Sequence, residues 1–171
     1  MVEIEVKVRV KDLEALRKAL LKSGAQLEKE RYREENTLYD FPSRTLYEKR
    51  SALRLRTAGK KTFLAFKGAP QKSRRFKVRE EFESEVKNEK QVRKILHSLS
   101  LSPVFSYQKF RTVYRKGRLK ICLDETAAGH FCELEGKKNE IIKFAKTLGF
   151  SRADLIKLDY VQLLQKKGKK P

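Results

Sequence analysis

The sequence has 171 residues, with 42 lysines and arginines against 22 aspartates and glutamates, which gives a formal net charge of +20. Its length is typical of one domain with a sizeable core, and no apolar run approaches the roughly 20 residues of a membrane span. The chain is charged from Glu3 onward, unlike a signal peptide, so we expect a cytoplasmic protein without a membrane partner. The positive charge points instead to an anionic partner such as a nucleotide, a polyphosphate or a nucleic acid.

The chain alternates strand-like segments with a few helical ones. In the first half these are a strand at 1–10, a helix at 12–23, an extended segment at 25–41, a polar loop at 43–51 and a hairpin of strands at 52–58 and 62–68. In the second half they are a strand at 76–84, a helix at 88–99, strands at 104–115, 118–126 and 130–135, helices at 138–148 and 152–165, and a basic tail at 166–171. A period of two indicates the strands, and apolar residues three or four positions apart indicate the helices.

Two of the predicted helices begin at a residue that can cap them. Asp12 and Asn88 each precede an apolar helical stripe, and both residue types accept a hydrogen bond from the first turn. Gly24 ends the first of these helices, and Pro103 closes off the second. Strands that are mostly joined by hairpins, with one helix inserted in each half, predict an α+β fold with an antiparallel sheet or barrel.

Charged side chains share one face of nearly every predicted strand. In residues 1–10, Glu3, Glu5, Lys7 and Arg9 lie on one side, and valine and isoleucine lie on the other. An open sheet with one solvated face would show the same pattern. These faces are rich in Arg, Lys and Glu, however, and the helices need an apolar outer sheet face for burial. A closed barrel with helices outside would enclose the charges, which is costly unless they pair or bind a ligand.

A cavity with charges of both signs suits a polyphosphate anion that carries divalent cations. Arginine binds phosphate oxygens with two parallel hydrogen bonds, and lysine supplies a compact positive charge. Carboxylate oxygens suit Mg²⁺ or Mn²⁺, and these ions in turn bridge phosphates. The charge pattern therefore predicts a site for a metal-bound polyphosphate.

A series of sequence blocks resembles the CYTH superfamily, which groups class IV, CyaB-type adenylate cyclases with thiamine triphosphatases. The first block is Glu3-x-Glu5-x-Lys7, which is similar to the ExExK signature of that family. The later blocks are 36–40 (NTLYD), 52–56 (ALRLR), 66–68 (FKG), 79–83 (REEFE), 109–111 (KFR), 123–125 (LDE), 129–135 (GHFCELE) and 160–164 (YVQLL). Any charged strand could supply ExExK by chance, but the blocks together follow the family's order over essentially the whole chain.

The resemblance implies a closed eight-stranded antiparallel β-barrel, or triphosphate tunnel, with helices packed outside, over residues 1–165. It implies Mg²⁺ or Mn²⁺ as cofactor, with the metal ligands Glu3, Glu5, Asp124, Glu133 and Glu135. The implied phosphate ligands are Lys7, Arg54, Arg56, Lys67, Arg79, Lys109, Arg111 and Lys120, and the implied catalytic residues are Lys7, Arg54, Arg56 and Lys67. The assignment of Lys120 as a phosphate ligand rests on its alternate position in the strand more than on a family motif. Glu81 and Glu83 match a motif as well, but pairing with arginine would also explain them.

From the resemblance we expect a metal-dependent enzyme that acts on a triphosphate, as a class IV adenylate cyclase converts ATP to cyclic AMP and pyrophosphate. A triphosphatase that hydrolyses thiamine triphosphate, ATP or inorganic triphosphate at the γ-phosphate fits the same residues. Phosphoryl chemistry needs little covalent help from a protein, so no Ser, Cys or His nucleophile is expected. The sequence leaves open whether the protein is a monomer or a homodimer.

A binding protein without turnover is the alternative from another class. The net charge of +20 and the basic residues 166–171 would suit electrostatic contact with RNA or with long polyphosphate. Aromatic residues are not interleaved with the basic ones as stacking platforms would be, and a passive polyanion binder has no use for the same-face carboxylates. Nucleic acid is therefore the secondary expectation.

The two cysteines, Cys122 and Cys132, do not predict a zinc site, because such sites need about four ligands. A disulfide between them is unfavourable in a reducing cytosol unless the source is a hyperthermophile. Lys, Arg and Glu are abundant while Asn, Met, Cys and Trp are scarce, and this composition favours a thermophilic source.

Overall fold

The computed structural model describes residues 2–168. The strands are β1 (Val2–Val10), β2 (Gln26–Asp40), β3 (Ala52–Ala58), β4 (Lys61–Lys67), β5 (Lys77–Val86), β6 (Ser102–Lys116), β7 (Leu119–Thr126) and β8 (Gly129–Glu135). The α-helices are α1 (Leu13–Lys22), α2 (Thr45–Glu48), α3 (Glu89–Ser98), α4 (Lys138–Thr147) and α5 (Tyr160–Gly168), with a 3₁₀ turn at Arg152–Asp154. Within residues 2–168, no helix combines the length and the apolarity needed to cross a membrane.

The eight strands form one closed barrel in the order β1-β5-β4-β3-β2-β6-β7-β8, which confirms the predicted α+β class and antiparallel barrel. The strand registers place charged residues opposite each other. Lys7 of β1 lies opposite Glu133 of β8, and Arg111 of β6 lies opposite Asp124 of β7. Because directly opposed residues project from the same face of a sheet, the registers bring together charges that are far apart in the sequence.

The described chain divides into two compact units, and each is described by itself. Unit 1 contains residues 2, 33–71 and 79–108, and unit 2 contains residues 3–32, 72–78 and 109–168. In unit 2, Leu16 and Leu20 of α1, Ile141 of α4 and Ile121 of β7 belong to one apolar core. Helix α1 begins as predicted, because the Asp12 carboxylate accepts a hydrogen bond from the backbone of its first turn.

Unit 1 has a smaller apolar core. Tyr39 of β2, Leu55 of β3, Leu96 of α3 and Leu101 are its buried members. Helix α3 is capped by Asn88 as predicted, with the side-chain oxygen accepting a hydrogen bond from the backbone N–H group of the first turn. In β1 of unit 2 and β3 of unit 1, apolar residues alternate with charged ones, so each of these strands has one face in the core and one charged face.

The prediction of a helix over residues 152–165 is wrong. The 3₁₀ turn occupies its start, an extended stretch follows, and α5 begins only at Tyr160. The extended stretch is fixed by a β-bridge in which Lys7 and Ile156 exchange two backbone hydrogen bonds, at N···O distances of 2.9 and 2.7 Å. A long-range backbone pair thus overrides the local helical pattern.

Three further boundaries differ from the sequence-based ones. The predicted loop 43–51 contains α2, because the carboxylate of Asp40 accepts hydrogen bonds from the backbone N–H groups of Leu46 and Tyr47. Strand β6 begins at Ser102 and includes Pro103. Helix α5 runs to Gly168, into the predicted tail 166–171, of which residues 169–171 lie outside the described part of the chain. The single domain over residues 1–165 stays a prediction.

Candidate functional site

Unit 2 gathers charged side chains on the strand faces opposite to its apolar core. On β7, for example, Ile121 and Leu123 belong to the core, and Lys120 and Asp124 occupy alternate positions that face the other way. These residues, joined by ion pairs and hydrogen bonds or, for the pair Lys120–Glu135, placed opposite Glu5 by the strand register, are named the Lys7 cluster: Glu5, Lys7, Lys77, Lys109, Arg111, Lys120, Asp124, Glu133, Glu135, Asp159 and Tyr160. Nine of the thirteen residues predicted for the site lie in unit 2, and eight of those nine are members of this cluster.

Lys7 is a buried ammonium group between two carboxylates. Its Nζ lies 2.9 Å from Glu5 Oε1 and 3.0 Å from Glu133 Oε2, and the residue is 2% exposed. Burial lowers the pKa of Lys7, but the charges of Glu133 and Glu5 outweigh burial and raise the pKa above its ordinary value. For the carboxylate of Glu133, burial acts in the opposite direction and raises the pKa. The positive charges of Lys7 and Arg111 outweigh burial and hold the pKa of Glu133 well below its usual range. Both groups are therefore charged at neutral pH.

Arg111 and Asp124 form a two-pronged ion pair in the same cluster. Arg111 Nε and Nη2 donate to the two carboxylate oxygens of Asp124, each at 2.6 Å, and Nη2 also donates to Glu133 Oε1 at 2.9 Å. Lys109 Nζ donates to Asp124 Oδ2 at 3.2 Å. Asp124 and Glu133 thus each pair with two cations. Removing either carboxylate would leave buried cations without a compensating negative charge.

Tyr160, the first residue of α5, extends the cluster from the C-terminal segment. Its hydroxyl donates a short hydrogen bond to Asp124 Oδ2. The ammonium groups of Lys7 and Lys109 lie 4.9 and 4.5 Å from the centre of its ring, within the range of cation–π interactions. Burial, and then the neighbouring Asp124 charge, raise the pKa of Tyr160 well above its usual value, so its hydroxyl keeps its proton at neutral pH.

Three members of this cluster, Lys77, Lys120 and Glu135, lie at its margin, and the predicted residue Glu3 lies beside it. Lys120 Nζ lies 2.9 Å from Glu135 Oε2, and both side chains are about one-third exposed. Lys77 Nζ lies 3.4 Å from Glu5 Oε1. Glu3 is half-buried on β1, two residues before Glu5. The predicted ligands therefore range from fully buried ones to ones that reach solvent.

Arg9 shares the strand face of Glu5 and Lys7 but has a structural partner of its own. Its Nη1 donates to the backbone oxygen of Ala128 at 2.9 Å, and its guanidinium lies 4.7 Å from the centre of the Phe131 ring. Gly129 adopts a φ of +113°, and a Cβ at that position would approach Arg9 Nη1 to 2.7 Å. Arg9 thus packs against the turn between β7 and β8.

Unit 1 carries the remaining predicted phosphate ligands. These residues and their carboxylate partners are named the Arg56 cluster: Glu34, Arg54, Arg56, Lys67, Arg79, Glu81 and Glu83. Arg56 Nη1 lies 3.0 Å from Glu34 Oε1, and its Nη2 lies 2.8 Å from Glu83 Oε1. Lys67 Nζ lies 3.2 Å from Glu81 Oε2. Arg79 lies on β5, two residues before Glu81 and on the same strand face.

Arg54 and Arg56 retain hydrogen-bonding capacity despite these ion pairs. Arg54 Nη2 is 3.5 and 3.4 Å from oxygens of Glu81 and Glu83, which are long contacts for ion pairs. The Nε atoms of both arginines are buried and have no hydrogen-bond partner among residues 2–168. Burial lowers the pKa of Arg54, but the surrounding acidic groups outweigh burial and raise it, so the guanidinium stays charged.

The predicted metal ligands fit a divalent cation by their chemistry. Among residues 2–168, no group of three or more His, Cys, Asp or Glu side chains is arranged to hold a metal ion. Two of the predicted ligands, Glu5 and Glu133, nevertheless direct carboxylate oxygens at one positive charge, the ammonium of Lys7. Carboxylate oxygens that converge on a cation are the ligands that Mg²⁺ and Mn²⁺ prefer. Metal binding stays a prediction.

Cys122 and Cys132 are both buried free thiols. Cys132 belongs to the apolar core of unit 2, whereas Cys122 alternates with Ile121 and Leu123 and lies opposite Glu133 in the register. Burial raises the pKa of Cys122 to about 12 and that of Cys132 well above its usual value. Neither thiol is therefore a nucleophile at neutral pH.

Four members of the clusters, Lys77, Glu34, Asp159 and Tyr160, were not singled out from the sequence as site residues. Lys77 has the same strand parity as Arg79, so the period-two pattern of β5 could have placed it. Glu34 similarly precedes Asn36 by two residues on β2. Tyr160 lies in a block that resembles the family, but an aromatic residue at the start of a helix carries no signal of its role.

A comparison with known proteins shows which family these residues belong to. The family model of the CYTH domain matches residues 1–157. The chain belongs to the CYTH domain family. This finding confirms the resemblance on which the site prediction rests, and it covers both the Lys7 cluster and the Arg56 cluster except for the segment that carries Asp159 and Tyr160.

Relatives of this CYTH chain are similar over nearly their full length. A Methanocaldococcus jannaschii protein named "Putative adenylate cyclase MJ0240" is 27% identical over 174 residues, which is 95% of this chain and 98% of that protein. A Vibrio parahaemolyticus structure described as a "putative adenylate cyclase" has a TM-score of 0.86 at 22% identity and covers 96% of this chain and 98% of that one. The "Putative adenylyl cyclase HpAC1" from Hippeastrum, described as having a dominant triphosphatase activity, has a TM-score of 0.71 at 22% identity, with coverage of 99% and 97%. The two structures show that the fold is shared.

Proposed function

We propose that this CYTH chain is a divalent-metal-dependent enzyme that, like a class IV adenylate cyclase, converts ATP to cyclic AMP and pyrophosphate. The observation that carries the proposal is the pair of half-buried arginines, Arg54 and Arg56, whose buried Nε–H donors have no hydrogen-bond partner among residues 2–168. Buried donors without a partner destabilise a folded protein, and phosphate oxygens are strong acceptors for guanidinium donors. The names of the archaeal and Vibrio relatives support the cyclase reaction.

In each cluster, the proposed phosphate ligands are cations that share their strand faces with carboxylates. They are Arg54, Arg56, Lys67 and Arg79 in the Arg56 cluster, and Lys7, Lys109, Arg111 and Lys120 in the Lys7 cluster. Of these, Lys7, Arg54, Arg56 and Lys67 are the proposed catalytic residues. Charges that are fixed before the substrate binds need no reorganisation as negative charge shifts during the reaction.

The cyclase reaction would require only electrostatic help from these side chains. The 3′-hydroxyl of ATP attacks the α-phosphorus and releases its proton to solvent, the bond from the α-phosphorus to the bridging oxygen breaks, and pyrophosphate leaves with the additional negative charge. The raised pKa of Lys7 keeps its ammonium protonated, so its role would be to stabilise charge and not to accept the proton of the hydroxyl. Mg²⁺ or Mn²⁺, held by Glu3, Glu5, Asp124, Glu133 and Glu135, would polarise phosphate oxygens when bound.

A triphosphatase is the second candidate, because the Hippeastrum relative is described as having a dominant triphosphatase activity. In that reaction water attacks the γ-phosphorus, the bond from the γ-phosphorus to the bridging oxygen breaks, and the diphosphate part of the substrate leaves. The transferred phosphoryl group becomes orthophosphate, and a proton is released to solvent. The same cations would bind the triphosphate in both reactions. The difference lies in which phosphorus faces the attacking oxygen.

The test is incubation of the purified protein with ATP, inorganic triphosphate or thiamine triphosphate, each with Mg²⁺ or Mn²⁺. We expect cyclic AMP and pyrophosphate from ATP. Orthophosphate in their place would establish the triphosphatase, and binding of all three compounds without any product would leave only a polyanion-binding protein.

A matched pair of variants tests the metal assignment. Glu5→Gln should abolish metal-dependent turnover, because it removes a carboxylate charge that faces Lys7. Glu14→Gln changes an exposed glutamate of α1 that pairs with Arg17, and turnover should be unaffected. Full activity in Glu5→Gln would contradict the assignment of Glu5 to the metal.

A further inference from the structure

Asn36 is a buried side chain whose hydrogen-bonding groups are unused within the described chain. It lies on β2 and is 1% exposed. Neither its amide nitrogen nor its amide oxygen has a hydrogen-bond partner among residues 2–168. A carboxamide offers two donors and an acceptor, and burying them unpaired destabilises the folded state. A bound molecule that supplies both a donor and an acceptor would remove this penalty.

The strand registers place Asn36 in a row with two residues of the Arg56 cluster face. Asn36 lies opposite Arg56 on β3, and Arg56 lies opposite Phe63 on β4. The three side chains, named the Asn36 row, therefore project from the same face of the sheet. The Arg56 guanidinium lies over the Phe63 ring, 4.7 Å from its centre. The next row on this face contains Arg54, so Asn36 lies directly opposite one arginine of the proposed phosphate site and one row away from the other.

The two unpaired groups of Asn36 restrict the chemistry of its partner. Phosphate oxygens only accept hydrogen bonds, so a phosphate would pair the amide nitrogen and leave the amide oxygen facing an anion. A heterocycle with an exocyclic amine beside a ring nitrogen donates one hydrogen bond and accepts another. This is the edge that asparagine binds in adenine with two hydrogen bonds. The flat Arg56–Phe63 pair beside the amide would suit the face of such a ring.

We propose that the Asn36 row is a subsite for the heterocycle of the substrate, with the Asn36 amide pairing with an exocyclic amine and the adjacent ring nitrogen. Adenine has this edge, and so does the aminopyrimidine of thiamine. The inference rests on the proposed function, because it places the heterocycle beside the arginines that would bind the triphosphate. It makes Asn36 the residue that distinguishes an organic triphosphate from inorganic triphosphate.

Four ligands and three proteins test this subsite. Binding of ATP, purine riboside triphosphate, thiamine triphosphate and inorganic triphosphate is measured by calorimetry with EDTA present, so that no metal-dependent turnover intervenes. Purine riboside triphosphate lacks only the exocyclic amine of ATP. The proteins are the wild type, Asn36→Leu and, as a control on the opposite face of the same strand, Thr37→Val, whose hydroxyl contacts Ser106 at 3.3 Å.

The wild type should bind ATP about 10- to 100-fold more tightly than purine riboside triphosphate, which is the usual discrimination of a two-hydrogen-bond pair. Asn36→Leu should lose this difference and keep its affinity for inorganic triphosphate, and Thr37→Val should behave as the wild type. Tighter binding of ATP than of thiamine triphosphate, lost in Asn36→Leu, would identify adenine as the heterocycle. The reverse preference would identify the aminopyrimidine.

The stability of the free protein provides a second readout. Leucine has a similar volume and no polar group to leave unpaired, so the melting temperature of Asn36→Leu should not fall below that of the wild type. A fall in melting temperature would mean that Asn36 has a structural role, and would overturn the inference. It would also be overturned if Asn36→Leu kept the preference for ATP, or lost affinity for inorganic triphosphate to the same extent as for ATP. No binding of any triphosphate by the wild type would instead overturn the proposed function, and this inference with it.

Discussion

The Lys7 cluster and the Arg56 cluster use similar side chains but satisfy them to different extents. In the Lys7 cluster, one carboxylate, that of Asp124, accepts hydrogen bonds from three residues: Arg111, Lys109 and Tyr160. Among residues 2–168, the buried side-chain atoms without a hydrogen-bond partner include the Nε atoms of Arg54 and Arg56, and none comes from the Lys7 cluster. The side chains of these two arginines are also more exposed, at 17% and 15% against 3% for Lys7.

The difference indicates two ways of keeping charge inside a small protein. Where charges satisfy one another, removing a single partner is costly, because it leaves a buried charge uncompensated. Charges that keep free donors lose some stability in the unbound state, and this loss is recovered when a ligand binds. We therefore expect substitutions in the Lys7 cluster to lower stability as well as turnover, and substitutions in the Arg56 cluster to act mainly on binding.

The largest expected effect is that of Asp124→Ala on stability. Removing this carboxylate leaves Arg111 and Lys109 buried with fewer partners, and we expect the free energy of unfolding to fall by about 3–5 kcal/mol in urea titrations. Glu125→Ala is the control, because the neighbouring Glu125 pairs with the partly exposed Arg31 and should contribute less than about 1 kcal/mol. Equal losses in the two variants would refute the view that the Lys7 cluster is a stability element.

Acid should weaken the same cluster through Glu133. Its pKa in the folded state is well below the ordinary value of 4.5, so the unfolded chain takes up the proton first as the pH falls. The stability that Glu133 contributes is therefore present above pH 4.5 and is lost as the pH falls through the folded-state pKa. Urea titrations of the wild type and Glu133→Gln should show a difference that is largest near neutral pH and shrinks in acid.

Glu85→Gln provides the reference for the acid experiment. Glu85 is exposed and pairs with the exposed Lys61 at 2.9 Å. Its substitution should change stability little at any pH, because exposed ion pairs contribute little. A difference between the wild type and Glu133→Gln that stays constant from neutral pH into acid would show that the charge of Glu133 does not stabilise the fold.

In the Arg56 cluster we expect Arg56→Gln to weaken the binding of inorganic triphosphate by about 10- to 100-fold, as the loss of a charge-assisted hydrogen bond would. Calorimetry measures this affinity, and a thermal melt records the accompanying change in stability. Arg115→Gln removes an exposed arginine that pairs with Glu28 and lowers the net charge equally. If both variants lost the same affinity, general charge attraction and not a defined site would be responsible.

The smallest expected effect is that of Tyr160→Phe. This change removes the hydrogen bond to Asp124 and keeps the ring beneath Lys7 and Lys109, so we expect a loss of about 1–2 kcal/mol in the free energy of unfolding. Tyr114→Phe, at a buried tyrosine in the apolar core of unit 2, is the control for removal of a hydroxyl. A loss no larger than that of the control would mean that the hydroxyl of Tyr160 does not support the cluster.

Most of the strands could be predicted because apolar and charged residues alternate in them, whereas closure into an eight-stranded barrel was expected from the resemblance to the CYTH family. Alternation alone placed Lys7, Arg54 and Arg111 on the charged faces, and the caps at Asp12 and Asn88 located the starts of two helices. The segment 152–165 could not be predicted, because the bridge between Ile156 and Lys7 joins residues distant in sequence and leaves no local signal.

The site was predicted as a set of residues but not as a set of partners. Which carboxylate pairs with which cation depends on the strand register, and the register is set by the whole barrel. The sequence could not show that Asp124 has three partners, nor that the amide of Asn36 has none among residues 2–168. It is these differences in pairing that separate the expected roles of the two clusters.

The C-terminal segment contacts the Lys7 cluster at two separate points, the β-bridge between Ile156 and Lys7 and the hydroxyl of Tyr160. Ile156 holds the backbone of Lys7, and four residues later Tyr160 reaches the carboxylate of Asp124. Proteolytic cleavage at Lys157, whose side chain is exposed, would cut the chain between these two contacts. A single cut there would remove the covalent link between the phenol and the β-bridge while leaving the bridge itself intact, so limited proteolysis can separate the two contributions without any mutation.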